Sequence, residues 1–90
     1  MESMHCVVSG KVQGVNFRAW TFDQARNLNI NGWVRNLQDS QVEIIAQGAE
    51  ADLAEFKKRL LQGSPLSRVE NVKCEKMDYD KEYSNFEIRG

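Results

Sequence analysis

The hydrophobic pattern changes period several times along the chain, and each change marks an element. From His5 to Val12 the residues are rich in Val and end in Gly, Lys and Val, the makeup of a β-strand. Phe17, Phe22, Ala25 and Leu28 then stand among polar residues and predict a helix from Phe17 to Leu28. Asn29 follows at the place where a left-handed residue commonly ends a helix. The stretches Gly32 to Leu37 and Val42 to Gln47 read as two strands around a hairpin turn at Asp39-Ser40. The second helix is the clearest element: Leu53, Phe56 and Leu60 share one face. Its acids Glu50, Asp52 and Glu55 come early and its bases Lys57, Lys58 and Arg59 come late, as the helix dipole favours. Gly63 and Pro65 stop it. Val69 to Met77 mixes Val72 and Cys74 with charged neighbours, as a half-buried strand does, and Phe86-Glu87-Ile88-Arg89 forms a last short strand.

The order is β-α-β-β-α-β with a short extra strand near the C-terminal end. Two helices and an antiparallel sheet bury their apolar faces as a two-layer α+β sandwich, both helices on one face of the sheet. The split βαβ arrangement is the natural topology for it.

Composition narrows the function. Ninety residues suffice for one modest core, so residues 1–90 are expected to form one domain. With 41% apolar and 28% charged residues, the chain belongs with ordered globular proteins rather than with low-complexity ones. The net charge is −1, whereas a surface that neutralises many phosphates along DNA or RNA is normally basic, so no nucleic-acid partner is expected. A single small anion needs only local positive potential. The N-terminus has no basic segment followed by an apolar run, and no apolar stretch approaches the roughly 20 residues that cross a bilayer. A cytoplasmic protein with no membrane partner is therefore expected. Cys6 and Cys74 form no CxxC, and His5 has no neighbouring ligands at metal spacing, so no metal site is expected. The cysteines are either two reduced thiols or, if their strands are neighbours, a disulfide.

The chemistry is concentrated where the first strand meets the first helix. Gly14 permits positive φ, which lets successive backbone N–H groups converge. The first turn of the helix offers donors without intrahelical partners at the positive end of its dipole. Arg18 adds a planar fork that matches two phosphate oxygens. These features describe an anion-binding loop; they also describe a tight strand–helix turn with Arg18 on the surface, and the spacing alone does not choose.

The run Gly10-Lys11-Val12-Gln13-Gly14-Val15-Asn16-Phe17-Arg18 resembles the acylphosphatase signature G-x-V-Q-G-V-x-F-R. Gly32-Trp33-Val34-Arg35-Asn36 is similar to that family's second block, G-W-V-(R or K)-N, at the family's separation. Gln47-Gly48, Gly63-Ser64-Pro65 and Asn85-Phe86-Glu87-Ile88-Arg89 also look like family positions, so the resemblance covers essentially the whole chain. It implies a ferredoxin-like sandwich and hydrolysis of acyl phosphates by a monomer. It implies that Arg18 and the backbone N–H groups of Gln13, Gly14, Val15, Asn16, Phe17 and Arg18 hold the phosphate, and that Asn36 positions the attacking water. No metal or cofactor is implied. Where the family often has Asp-Gly at the hairpin, this chain has Asp39-Ser40, and a Ser at positive φ costs roughly 1 kcal/mol relative to Gly. Asn16 is expected to face solvent.

The remaining large and charged residues have plain roles. Phe17 and Trp33 are expected to pack, Trp20 to pack or to form a lip of the substrate pocket, Lys11 and Arg35 to be solvated or to raise the potential near the loop, and Lys57, Lys58 and Arg59 to be a solvated helix end. Two other functions fit the same fold. One is a non-enzymatic anion-binding module that acts with a carbamoyl-transfer partner. The other, RNA recognition, needs aromatics on central strands, and Val42 to Ala46 has none.

Overall fold

The computed structural model describes residues 1–78 and 80–90. Its elements are β1 (Glu2–Lys11), α1 (Phe17–Asn27), β2 (Asn31–Asn36), β3 (Val42–Gly48), α2 (Glu50–Gln62), β4 (Arg68–Met77) and β5 (Phe86–Arg89). They form one five-stranded sheet in the order β4-β1-β3-β2-β5.

β1 begins at Glu2, three residues earlier than its apolar run suggests, because both its edges are paired. Glu2 lies opposite Gly48 of β3, and Ser3 opposite Met77 of β4, so the ladder extends into polar sequence. Met4, Cys6 and Val8 alternate onto the helix-covered face and are buried there. Near its end β1 carries a bulge at Ser9/Gly10. Gly10 sits at φ 127, and a Cβ there would come within 2.2 Å of the Arg68 carbonyl oxygen, so only glycine allows β4 to approach this closely.

The sheet is mixed rather than antiparallel. β4 lies at one edge, and the chain then crosses the open face to the other edge. Tyr83 marks the crossing: its N–H donates to Gln47 Oε1 at 2.8 Å, and its hydroxyl accepts from Trp33 Nε1 at 3.0 Å. A strand arriving from that direction runs parallel to β2, and β5 pairs with it in that sense, Val34 opposite Ile88. Trp33 therefore packs on the open face, with the guanidinium carbons of Arg35 and Arg89 4.9–5.1 Å from its ring centre. Phe17 and Trp20 pack against the helix-side core, their rings 5.3 Å apart.

Both helices cover one face of the sheet. α1 buries Phe17, Thr21 and Ala25, one residue per turn, while Phe22 and Leu28 pack at the margin of the core. It stops one residue before Leu28. Asn29, at φ 56, is left-handed, Ile30 N–H donates to the Ala25 carbonyl at 2.8 Å, and Asn29 N–H donates to that of Arg26 at 3.3 Å. That is the Schellman arrangement, in which the left-handed residue lets the chain turn back and satisfy the last carbonyls. α2 buries Leu53, Phe56 and Leu60 as their spacing predicts. Arg59 is not a solvated end. Its Nε donates to Glu55 Oε2 at 3.0 Å, and its Nη1 donates to Gln24 Oε1 and Asn27 Oδ1, each at 2.9 Å, which joins α2 to α1.

β1 and β4 are neighbours, and Cys6 faces Cys74 across the ladder. The two are joined in a disulfide with Cα atoms 4.1 Å apart, so the thiol alternative does not describe this structure. No helix among the described residues is long and apolar enough to cross a membrane.

Candidate active site

The junction of β1 and α1 is built by two left-handed residues. Gly14 stands at φ 73 with nothing within 4 Å of a would-be Cβ, so glycine serves the backbone angle there and not a close approach. Asn16 stands at φ 60, ψ 27 as the N-cap of α1, its side chain making no capping bond. Asn is among the few side chains that adopt this region readily. Phe17, 1% exposed, then anchors the helix start in the core.

The first hydrogen bond of the helix runs from Trp20 N–H to the Asn16 carbonyl at 3.0 Å. The N–H groups of Phe17, Arg18 and Ala19 precede it and have no intrahelical acceptor. The first turn of α1 holds no acidic side chain, whereas that of α2 holds Glu50 and Asp52. The positive end of α1 is thus left without a compensating charge of its own, an arrangement that suits an anion.

Arg18, half-buried, extends from this turn. Its Nη1 donates to the Arg89 carbonyl of β5 at 2.8 Å. That bond fixes the side chain while the other guanidinium N–H groups remain available. Asn36 is the last residue of β2, opposite Val42 of β3. Its Oδ1 is buried and has no hydrogen-bond partner among the described residues. Such an acceptor costs about 1–3 kcal/mol when left unmet.

One cavity of about 300 Å³ brings these groups together. Gln13, Gly14, Asn16, Phe17, Arg18 and Asn36 all line it, with Val12, Ala19 and Ile88. Of the residues expected at the site, Val15 does not reach the cavity; it packs against the core and contributes to the loop through its backbone. Asn16 is exposed, as expected. Among the described residues Arg18 is the only charged side chain in the lining. Among the described residues, no three of His, Cys, Asp and Glu stand together in a group that would hold a metal ion.

Gln13 has a role beyond its backbone. Its Nε2 donates to the carbonyls of Leu37 and Gln41 at 2.7 and 2.8 Å, and Gln41 Nε2 in turn donates to Ser9 Oγ at 3.0 Å. The loop is thereby fastened to the β2–β3 hairpin that carries Asn36. Nothing in the local sequence signals this, because its partners lie 24 and 28 residues away. In the hairpin itself Asp39 and Ser40 sit at φ 63 and 62. The left-handed pair is kept without a glycine, and Leu37 N–H still closes the turn on the Gln41 carbonyl at 2.8 Å.

The cluster next to Asn36 faces the other side of the sheet. Glu43 Oε1 accepts from Arg35 Nε at 2.6 Å, and Glu43 Oε2 lies 2.7 Å from His5 Nε2. Burial pushes the Glu43 carboxyl up, but the hydrogen bonds from His5 and Arg35 and their charges outweigh it and hold the group below its ordinary value.

Comparison with known proteins matches the sequence and the fold to one family. The acylphosphatase family model matches residues 4–88. A protein of Pelotomaculum thermopropionicum named acylphosphatase is 45% identical over 84 residues, covering 93% of this chain and 91% of its own length. The crystal structure of acylphosphatase from Bacillus subtilis superposes with a TM-score of 0.96 at 33% identity, covering 100% of both chains. HypF from T. kodakarensis contains a similar unit: TM-score 0.87, 30% identity, covering 99% of this chain and 12% of that one. The match over nearly the whole chain and the superposition agree, and the chain belongs to the acylphosphatase family as one of its enzymes.

Proposed function

We propose that this chain hydrolyses the carboxyl–phosphate bond of small-molecule acyl phosphates, giving a carboxylate and inorganic phosphate. The observation that carries the reading is the convergence of Arg18, the β1–α1 loop and Asn36 on one cavity. Arg18 and the backbone N–H groups of Gln13 to Arg18 hold the phosphate. The planar fork and the open helix start supply donors where charge gathers on the equatorial oxygens. The Asn36 amide orients the attacking water. Its oxygen has no donor among the described residues, and the residue lines the cavity.

Water oxygen attacks phosphorus, the bond from phosphorus to the acyl oxygen breaks, and the carboxylate departs with the electron pair. Carboxylic acids have pKa values of roughly 4, so the leaving group needs no proton. The water proton passes to a phosphate oxygen. Positioning and electrostatics then account for the catalysis, and no general base is required of the protein.

The match at residues 4–88 and the single helix-side core support residues 1–90 as one domain, and a monomer is part of the proposal. A cytoplasmic location belongs to the same proposal. A reducing compartment would act on the Cys6–Cys74 disulfide, so activity is to be measured with and without reductant.

The test follows hydrolysis of benzoyl phosphate with chelator present. Wild type should turn over. Arg18→Ala should lose phosphate affinity and turnover together, by about 10- to 100-fold, and Arg18→Lys should recover little because the fork is gone. A second reading, an anion-binding module that acts with a carbamoyl-transfer partner, draws on the likeness to a 12% share of HypF. Phosphate binding without hydrolysis by folded wild type would favour it.

A further inference from the structure

The rim of the cavity is apolar on one side. Ile88 of β5 lies in register with Val34, on the helix-covered face, yet it is 46% exposed where Val34 is 0%. Among the described residues the exposed large hydrophobics are Met1, Leu61, Leu66 and Ile88, and of these Ile88 lines the cavity shared by Arg18 and Asn36. The backbone places it beside the guanidinium, because Arg18 donates to the carbonyl of the next residue, Arg89. Ala19, exposed on the first turn of α1, adds a second small apolar surface to the lining. Among the described residues no carboxylate side chain lines the cavity, and the charged side chain there, Arg18, is engaged by the phosphate in the reading above.

We propose that Ile88 is a specificity-determining residue that receives the acyl group and sets how far the site discriminates apolar, ring-sized acyl groups from a two-carbon one. This rests on the proposed function. The phosphate is held by polar groups on the loop side, so its acyl substituent must leave through the part of the cavity that those groups do not occupy, where Ile88 stands. An apolar group laid there removes exposed hydrocarbon from water on both partners, a gain that scales with the area covered. A two-carbon acetyl group covers little of it. A charged acyl group finds no second partner and loses hydration against Ile88. The cavity, about 300 Å³, is of the size that small organic ligands occupy.

The experiment compares kcat/KM for benzoyl phosphate and acetyl phosphate in wild type, Ile88→Ala and Ile88→Leu, with inhibition by inorganic phosphate measured in each. Wild type should favour benzoyl phosphate. Ile88→Ala should lower the benzoyl-to-acetyl ratio about fivefold through KM, with phosphate inhibition unchanged, and Ile88→Leu should keep the ratio. An unchanged ratio in an active Ile88→Ala overturns the inference alone. So does a rise in the phosphate inhibition constant that parallels equal losses on both substrates, since Ile88 would then only support Arg18. A folded wild type that hydrolyses neither compound overturns the proposed function and this inference with it.

Discussion

Gln13 donates a 2.7 Å hydrogen bond to the carbonyl of Leu37, the residue that follows Asn36. The same amide reaches the Gln41 carbonyl at 2.8 Å, so one side chain spans both arms of the hairpin. The loop and the strand end that carry the two candidate catalytic groups are therefore one mechanical unit.

Gln13→Ala should release the hairpin from the loop while leaving Arg18 and the loop amides in place. We expect kcat to fall about tenfold, with phosphate inhibition changed far less. Stability should drop by about 1–3 kcal/mol, because the half-buried Leu37 carbonyl loses this donor while that of Gln41 keeps the Leu37 N–H. Steady-state kinetics and urea denaturation of the same variant measure both. An unaltered kcat would show that the hairpin holds Asn36 without Gln13.

Asn36→Ala should separate turnover from binding. If the amide acts on the water, kcat falls on the order of 100-fold and the inhibition constant for inorganic phosphate hardly moves. Equal losses in both would reassign Asn36 to phosphate binding.

The Cys6–Cys74 disulfide closes a long loop, a sequence separation of 68, and ties the edge strand β4 to β1. Reduction should lower stability by roughly 2–4 kcal/mol, read as a shift of the urea midpoint. Arg18 and Asn36 lie on other elements, so kcat/KM for benzoyl phosphate should be the same with and without reductant. A midpoint that reductant does not move would mean that the bond adds no net stability.

Glu43 predicts a direction of acid sensitivity. Its folded pKa is lowered, so its contribution to stability is complete above the ordinary carboxylate pKa and is lost as pH falls through the lowered one. Urea midpoints of wild type and Glu43→Gln should differ most near neutral pH and converge below about pH 4. A difference that stays constant across that range would place the effect in packing rather than in ionisation.

Local rules carried the elements a long way. The helix-face spacing of Leu53, Phe56 and Leu60 and the left-handed Asn29 act within a few residues, and the structure keeps both. The site motifs were legible for the same reason: Gly14, Asn16 and Arg18 form their turn from adjacent backbone. Other features depend on partners that are distant in the chain. Arg59 read as a solvated charge because Gln24 and Asn27 meet it only when the helices pack. Gln13 read as backbone alone because its acceptors belong to the hairpin.

By itself the sequence determined the order of elements, the face each helix buries and the tight loop between β1 and α1, since periodicity, capping and φ preferences are local. Tertiary structure alone decided that β5 runs parallel to β2, that Cys6 meets Cys74, and that Arg18 is steadied by the Arg89 carbonyl beside Ile88. Each of these follows from which strands become neighbours, and that depends on how a shared core is buried rather than on any short run of residues.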